Sequence, residues 1–434
     1  MAMKQPRKKL SRKKKASRLF VIAAIATGTM IFFNTRPTVE EKAELKIKNH
    51  LEQRVQIAKT LAEPMKQESY PEKIEINLDG FNREVSVQYT FEPELQLAAE
   101  KLLKQYKPDY GSIVLMDAET GKILALANFQ RDALDKPNLA LKASYPAASI
   151  FKVVTATAAI DKVGVRPTDT IRFNGGNYTL YKKNVLSDKI NKWTRSISLK
   201  DAFAKSINTA FGRLSLEKLN PDHINDYAKR YMFNQKIPSD LPVDMGVAYV
   251  PQEKGFELTE VASGYNKMNR MSPIQGAMIA GTIVNDGRMV VPYVVDNLKN
   301  AAGEIIYQAE IVDSGPIMTS HSAEKVRELM GQTIISGTSR KTFRDLVRNR
   351  QFKDIEMGGK TGHLTGDNPK GRVDWFVGYA FDDSRKISVA ALTVNKKYWT
   401  VKSSYLGQTM IRKFFQPSIS QKLNEKRTLS SARF

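Results

Sequence analysis

The stretch that decides the fold is YPAASIFKVV, Tyr145 to Val154, ten residues that are almost wholly apolar yet carry a serine and a lysine three positions apart. Pro146 near its start, the run KVVTATAAI behind it and Gly164 as a stop predict a buried helix. Residues i and i+3 of a helix share a face, so the Ser149 hydroxyl and the Lys152 amine come within reach of one another. Either the hydroxyl bonds its own backbone and the lysine is incidental, or the two are a nucleophile and its base. The spacing alone decides nothing, because Ser-x-x-Lys also occurs at Ser11/Lys14, Ser215/Lys218 and Ser322/Lys325. Only the pair at 149 and 152 sits in an apolar helical context.

The composition narrows the chemistry. The chain has 434 residues and no cysteine, which removes disulfides, thiolate metal sites and cysteine nucleophiles. Its four histidines, His50, His223, His321 and His363, show no ligand spacing, so a zinc enzyme is not expected. The net charge is +23, and the first eighteen residues hold nine basic groups and no acidic one. A nucleic-acid arm is the simplest reading of such a run. The fifteen uncharged residues that follow, Leu19 to Phe33, favour a membrane anchor instead. At 1.5 Å per residue they span roughly 22 Å, short of a ~30 Å bilayer core, so flanking side chains would snorkel or the bilayer thin. Basic residues before the apolar run place the N-terminus in the cytoplasm and the rest across the membrane, in bacterial terms outside the inner membrane. A cleaved signal peptide fits less well, since only five apolar residues precede Ala24-Ile25-Ala26 and MIFF continues beyond it.

Five regions follow: a basic segment 1–18, an anchor 19–33, a stalk or small pedestal 34–90, a main domain 91–415 and a polar tail 416–434. The pedestal reads as a charged helix and then a hairpin around Asp79-Gly80. The main domain opens with a helix after Glu92-Pro93 and the hairpin GSIVLMDAETGKILALANF. It repeats that form far downstream in DWFVGYAFDDSRKISVAALTVN and closes on the helix SSYLGQTMIRKFFQ. Strands at both ends with helical patterns between them predict an α+β fold, an antiparallel sheet flanked by helices with an inserted all-helical lobe.

An ordinary lysine, pKa about 10.4, cannot accept a proton at neutral pH; burial or a second cation lowers that value until free amine is populated. Two motifs supply such neighbours. Ser206-Ile207-Asn208 is the one Ser-x-Asn of the chain, and Lys360-Thr361-Gly362 the one Lys-Thr-Gly. Gly358, Gly359 and Gly362 would let another backbone approach that edge, so a peptide could lie along it as an added strand. Singly, Asn208 reads as a satisfied amide and GGKTG as a turn. Together, in this order, the three motifs resemble the serine-lysine, Ser-Asp-Asn and Lys-Thr-Gly signature of penicillin-binding proteins and serine β-lactamases.

From VQYTFEPELQLAAEKLL to Phe415 the sequence resembles the transpeptidase module of penicillin-binding proteins. GSIVLMDAETGKILALAN is similar to its first two strands, MSPIQGAMIAGTIVNDGRMVVPYVV to the helix and loop before its third motif, and WFVGYA to the strand after it. The resemblance implies acyl transfer from a D-alanyl-D-alanine stem peptide of peptidoglycan, with no cofactor or metal. Ser149 would attack the penultimate carbonyl and Lys152 take its proton. Ser206 and Asn208 would relay the proton and place the substrate amide, while Lys360 and Thr361, followed by Gly362, would hold the terminal carboxylate. The oxyanion would bind the backbone N–H groups of Ser149 and His363. β-Lactams would acylate Ser149 as substrate mimics, and a separate glycan polymerase acting on the lipid-linked precursor would be the partner.

Position 363 departs from the family pattern, which usually has threonine there. A backbone donor is indifferent to this, but a hydroxyl that would help hold the carboxylate is replaced by an imidazole, or by a histidine that merely faces solvent. The roughly ninety residues before the module leave no room for a glycosyltransferase domain, so a monofunctional transpeptidase is expected. A glutamate-dependent β-lactamase is disfavoured, because Leu216 stands where Glu-x-x-Leu-Asn would need its glutamate before Leu219-Asn220. A carbamylated-lysine β-lactamase, a D,D-carboxypeptidase and a non-enzymatic penicillin sensor remain as alternatives. They differ in the fate of the acyl-enzyme.

Overall fold

The computed structural model describes residues 38–78, 80–131 and 137–416. The basic run, the apolar stretch Leu19–Phe33 and the tail from 417 lie outside the described residues, and no helix among the described residues is long and apolar enough to cross a membrane. The chain divides into two compact units, residues 1–50 and 51–434. The described part of the first is the opening of a helix, Val39–Lys66.

Within the second unit that helix buries Arg54, Ile57, Leu61 and Met65. The spacing of three, four and four residues is the stripe of one helical face. The strands Lys73–Leu78 and Phe81–Tyr89 form the expected hairpin, Leu78 opposite Phe81, with Gly80 at φ +84 in the two-residue turn. Ile74, Ile76 and Leu78 alternate inward, as a half-buried strand requires. Two strands from far downstream, Val295–Lys299 and Ile305–Gln308, complete this sheet on the side of Phe81–Tyr89. Asp240 fixes the join. Its buried carboxylate accepts from the backbone N–H of Val294 at 3.0 Å and of Val295 at 2.7 Å. Burial raises its pKa to about 6 against the pull of those donors and of the Arg54 charge.

The main sheet is antiparallel and five-stranded, in the order Glu356–Asp367, Lys370–Phe381, Lys386–Asn395, Tyr110–Asp117, Ile123–Gln130. Both predicted hairpins are present. Asp117 closes one turn by accepting from Glu119 and Thr120 N–H groups, and Asp382 closes the other through Ser384 and Arg385. Successive side chains of a strand face opposite sides. Ile113, Leu115, Phe376, Val389 and Ala391 therefore join a core with Leu95, Ala99 and Leu103 of the helix Pro93–Tyr106 and Leu406 and Met410 of the closing helix. Val114, Met116, Trp375, Val377, Ala390 and Leu392 join a second core with the helix Pro273–Val284. Burial on both faces explains why these strands read as continuous apolar runs.

The segment inserted between the strands is not all helical, contrary to the expectation from sequence. Helices dominate it, but Thr170–Phe173 pairs with Arg195–Ser198, Tyr145–Pro146 with Arg270–Met271, and Arg288–Val290 with Asp313–Pro316. These ladders are two to four residues long, too short for alternation to stand out; in Thr170–Phe173 only Ile171 and Phe173 turn inward.

Asp240→Ala leaves two buried N–H donors without an acceptor, so it should cost about 2–5 kcal/mol. The expected result is a clear drop in the urea midpoint of unfolding, with Asp240→Asn intermediate because one acceptor oxygen remains.

Candidate active site

The serine-bearing segment is not one regular helix. Ala148–Ile150 is a single 3-10 turn, Phe151–Thr157 is α-helical, and Ala158–Lys162 widens to a π turn before Gly164 at φ +76. Ala148, directly before Ser149, is left-handed at φ +49, a conformation that disfavours any residue with a Cβ. Its surroundings hold it there. The Ala147 N–H donates to the Asn269 carbonyl at 2.8 Å, and the Trp375 indole donates to the Pro146 carbonyl at 2.9 Å. Gly264 lies so close that a Cβ on it would collide with the Ala148 carbonyl. The turn that carries Ser149 is thus set by the sheet on one side and a backbone contact on the other.

Lys152 is fully buried. Its Nζ lies 2.9 Å from Ser149 Oγ and 2.6 Å from Asn208 Oδ1, with the Ser263 carbonyl as a third partner. An ammonium could donate to all three. A free amine has two donors and one lone pair, and the same geometry then lets it donate to Asn208 and Ser263 while accepting the Ser149 proton. Lys360 is also fully buried, its Nζ 2.8 Å from Ser206 Oγ and 2.8 Å from the Thr361 carbonyl. Burial lowers the Lys360 pKa to about 7. Burial, and secondarily the charge of Lys360, holds that of Lys152 well below the ordinary lysine value. Both amines are thus pushed toward the neutral form, Lys152 by burial and by its buried neighbour, Lys360 by burial alone. Ser206 itself is left-handed at φ +56, one residue before the bend into the helix Asn208–Lys218.

The edge strand Glu356–Asp367 brings Lys360, Gly362 and Leu364 to the face it shares with the serine turn, opposite Val377, Trp375 and Val373. A Cβ on Gly362 would sit 3.3 Å from both the Ala147 carbonyl and the Ile150 nitrogen, so glycine there permits the strand's close approach. Thr361 and His363 line a cleft of about 390 Å³ together with Ser149, Ser206 and Asn208. All three motifs therefore meet in one place.

The cleft also contains residues that the sequence did not single out. Thr338 shares a 2.5 Å hydroxyl contact with Thr361, and Tyr178 supplies the carbonyl that takes the Asn208 amide at 2.6 Å. Gly264, Tyr265 and Thr338 sit in loops with no motif of their own. The His363 side chain does not simply face solvent. Its ring stacks on Trp399 at 4.8 Å and its Nδ1 lies 3.9 Å from the Asp374 carboxylate.

Residues 111–415 match the family model of the penicillin-binding protein transpeptidase domain. The chain belongs to that family. Among similar family members, the peptidoglycan D,D-transpeptidase PbpA of Mycolicibacterium smegmatis is 26% identical over 346 residues, which cover 71% of this chain and 67% of that protein. Stage V sporulation protein D of Bacillus subtilis is 20% identical over 65% of this chain and 44% of its own length. The structure of penicillin-binding protein A from M. tuberculosis in its imipenem acyl-enzyme complex aligns with a TM-score of 0.62 at 24% identity, covering 76% of this chain and 79% of that one. The penicillin-binding transpeptidase fold is thus shared, whereas the roles of individual residues rest on the geometry above.

The buried amines carry a stability consequence. Between pH 7 and about 10.4 the unfolded chain binds a proton at Lys360 that the folded chain lacks, so stability rises with pH across that window. Below it, the full cost of burying the cation remains. Lys360→Met should therefore melt above the wild type at pH 7, with the gap narrowing toward pH 10 in scanning calorimetry. A gap independent of pH would show that Lys360 keeps an ordinary proton affinity.

Proposed function

We propose that the protein is a membrane-anchored, monofunctional D,D-transpeptidase that cross-links peptidoglycan stem peptides through an acyl-Ser149 intermediate. The observation that carries this reading is the 2.9 Å approach of a fully buried amine to the Ser149 hydroxyl. The Lys152 lone pair takes the hydroxyl proton as Oγ adds to the penultimate carbonyl of a D-alanyl-D-alanine terminus. The terminal D-alanine leaves as an amine after taking the proton from Lys152 by way of the Ser206 hydroxyl, which Lys360 Nζ holds at 2.8 Å. An amino group of a second stem then attacks the ester, and the Ser149 oxygen regains its proton. Lys360, from behind the Thr361 backbone, and the Thr361 hydroxyl in the cleft would hold the substrate's carboxylate, and Asn208 orients its amide. Backbone N–H groups of Ser149 and His363 would stabilise the oxyanion. β-Lactams enter the first half of the same sequence and stop there.

Anchoring through Leu19–Phe33, with the catalytic unit outside the cytoplasmic membrane, belongs to the same proposal; it is supported by the basic run before the apolar stretch. A separate glycan polymerase would supply the strands to be joined.

Labelling with a fluorescent penicillin tests the chemistry. Ser149→Ala should abolish labelling, and normal labelling would overturn the assignment of nucleophile. Lys152→Arg keeps the charge but cannot give up a proton, so acylation should slow by at least ~100-fold. In the wild type the acylation rate should rise with pH through the depressed Lys152 pKa, as free amine replaces ammonium. Incubation with a stem peptide and an amine acceptor then separates the readings. Cross-linked product supports a transpeptidase, release to water alone a carboxypeptidase, and neither a sensor.

A further inference from the structure

A second cavity, of about 420 Å³, lies in the inserted lobe, outside the catalytic cleft. Its lining is polar: Asn174 and the hydroxyls of Ser187, Thr194 and Ser196 alternate with charges of both signs, Arg172, Lys189, Arg213 and Lys218 against Asp188 and Glu217. Arg213, with only 8% of its side chain exposed, braces the lining by bonding Asp188 at 2.7 Å and Glu217 at 2.6 Å. At the rim the turn Asn191–Thr194 is tied down. Asn191 Oδ1 accepts from the Trp193 N–H at 2.8 Å, and the Thr194 hydroxyl donates to Asn174 Oδ1 at 2.7 Å. This rigid turn displays Trp193 with 75% of its surface exposed, next to Ile190 at 70%. Lys192 sits over the indole at 5.1 Å. An apolar platform beside a polar, preorganised pocket is what a sugar ring requires, since it offers C–H groups on one face and hydroxyls around its edge.

The same segment runs into the catalytic cleft. Asn174 lines the cavity; four residues on, Tyr178 lines the cleft, its carbonyl bonded to Asn208. Those two positions are at most ~14 Å apart. An extended peptide of three or four residues covers the same span.

We propose that this cavity is a saccharide subsite for the N-acetylhexosamine glycan that bears the stem peptide, with Trp193 as its stacking platform. The proposal rests on the function argued above, and it extends that function by making the enzyme read the glycan strand as well as the peptide. Arg172 and Lys189 on its wall would attract carboxylates of the attached stem. A lipid surface would match the aromatic rim and the lysines, but not a recessed cavity whose wall also carries the Asp188 and Glu217 carboxylates.

The test uses full-length protein and peptide-free N-acetylglucosamine–N-acetylmuramic acid oligosaccharides, read by saturation-transfer NMR. The wild type should transfer saturation to the sugar, and Trp193→Ala should reduce the signal by at least about fivefold. Penicillin acylation should proceed at the same rate in both, which confirms an intact fold. No transfer in the wild type, or equal transfer in the variant, overturns the proposal. So does loss of binding to anionic phospholipid vesicles in Trp193→Ala with sugar transfer unchanged. Because sugar binding is read without the acyl chemistry, failure of penicillin labelling in the wild type would remove the proposed function and leave this measurement standing.

Discussion

Two lysine side chains are buried within reach of the same small cleft, and among the described residues no carboxylate offsets either charge. An unpaired ammonium in such a place is strongly disfavoured, and in the absence of a counter-ion burial lowers the proton affinity of both amines. Everything else in the site follows from that. If Lys152 carried an acidic partner it would be held as a cation and could not take the Ser149 proton. If Lys360 were exposed, it would no longer add to the electrostatic pressure on Lys152. The hydrogen bonds to Asn208, Ser263, Ser206 and Thr361 are with neutral groups, which fix the amines without restoring their charge.

Holding that arrangement requires backbone the chain would not otherwise adopt. Ala148 and Ser206 are both left-handed, at a typical cost of about 1–3 kcal/mol each, and both adjoin or carry a hydroxyl of the candidate site. Such residues persist where the surroundings over-determine them. Around Ala148 these are the Asn269 carbonyl, the Trp375 indole and Gly264; each belongs to a different segment of the chain. The main sheet is therefore more than a scaffold. Trp375 packs on Tyr145 as well as bonding Pro146, and the neighbouring strand carries Lys360 up to the serine turn.

Much of this was legible in the sequence, for identifiable reasons. The hairpins at Asp79-Gly80, Glu119-Thr120-Gly121 and Asp382-Asp383-Ser384 announce themselves by turn chemistry, a local property. The three motifs are short and occur in the expected order. What could not be read is long-range or too short to show a period. Nothing in Val295–Lys299 says that it will complete a sheet begun more than two hundred residues earlier, because a strand's partner is not written in its own alternation. The paired segments Thr170–Phe173 and Arg195–Ser198 are four residues each, below the length at which period two separates from chance. Thr338, Tyr178 and Gly264 are brought to the cleft by loops, and only tertiary structure identifies them.

His363 illustrates how the fold separates what may vary from what may not. Its proposed catalytic contribution is a backbone N–H, which the sheet register places through pairing with Asp374 whatever side chain the residue carries. The side chain is then free to serve another purpose, and here it is packed between Trp399 and the Asp374 carboxylate, half of it still facing the cleft. Lys402 lies against the same indole at 3.3 Å, so the imidazole is one layer of a short stack that braces the outer wall of the site. A threonine could not reach that stack. The substitution therefore alters the shape of the wall where a ligand's carboxylate would lie, while leaving the proposed oxyanion donor in place, and selectivity among ligands is where its effect belongs.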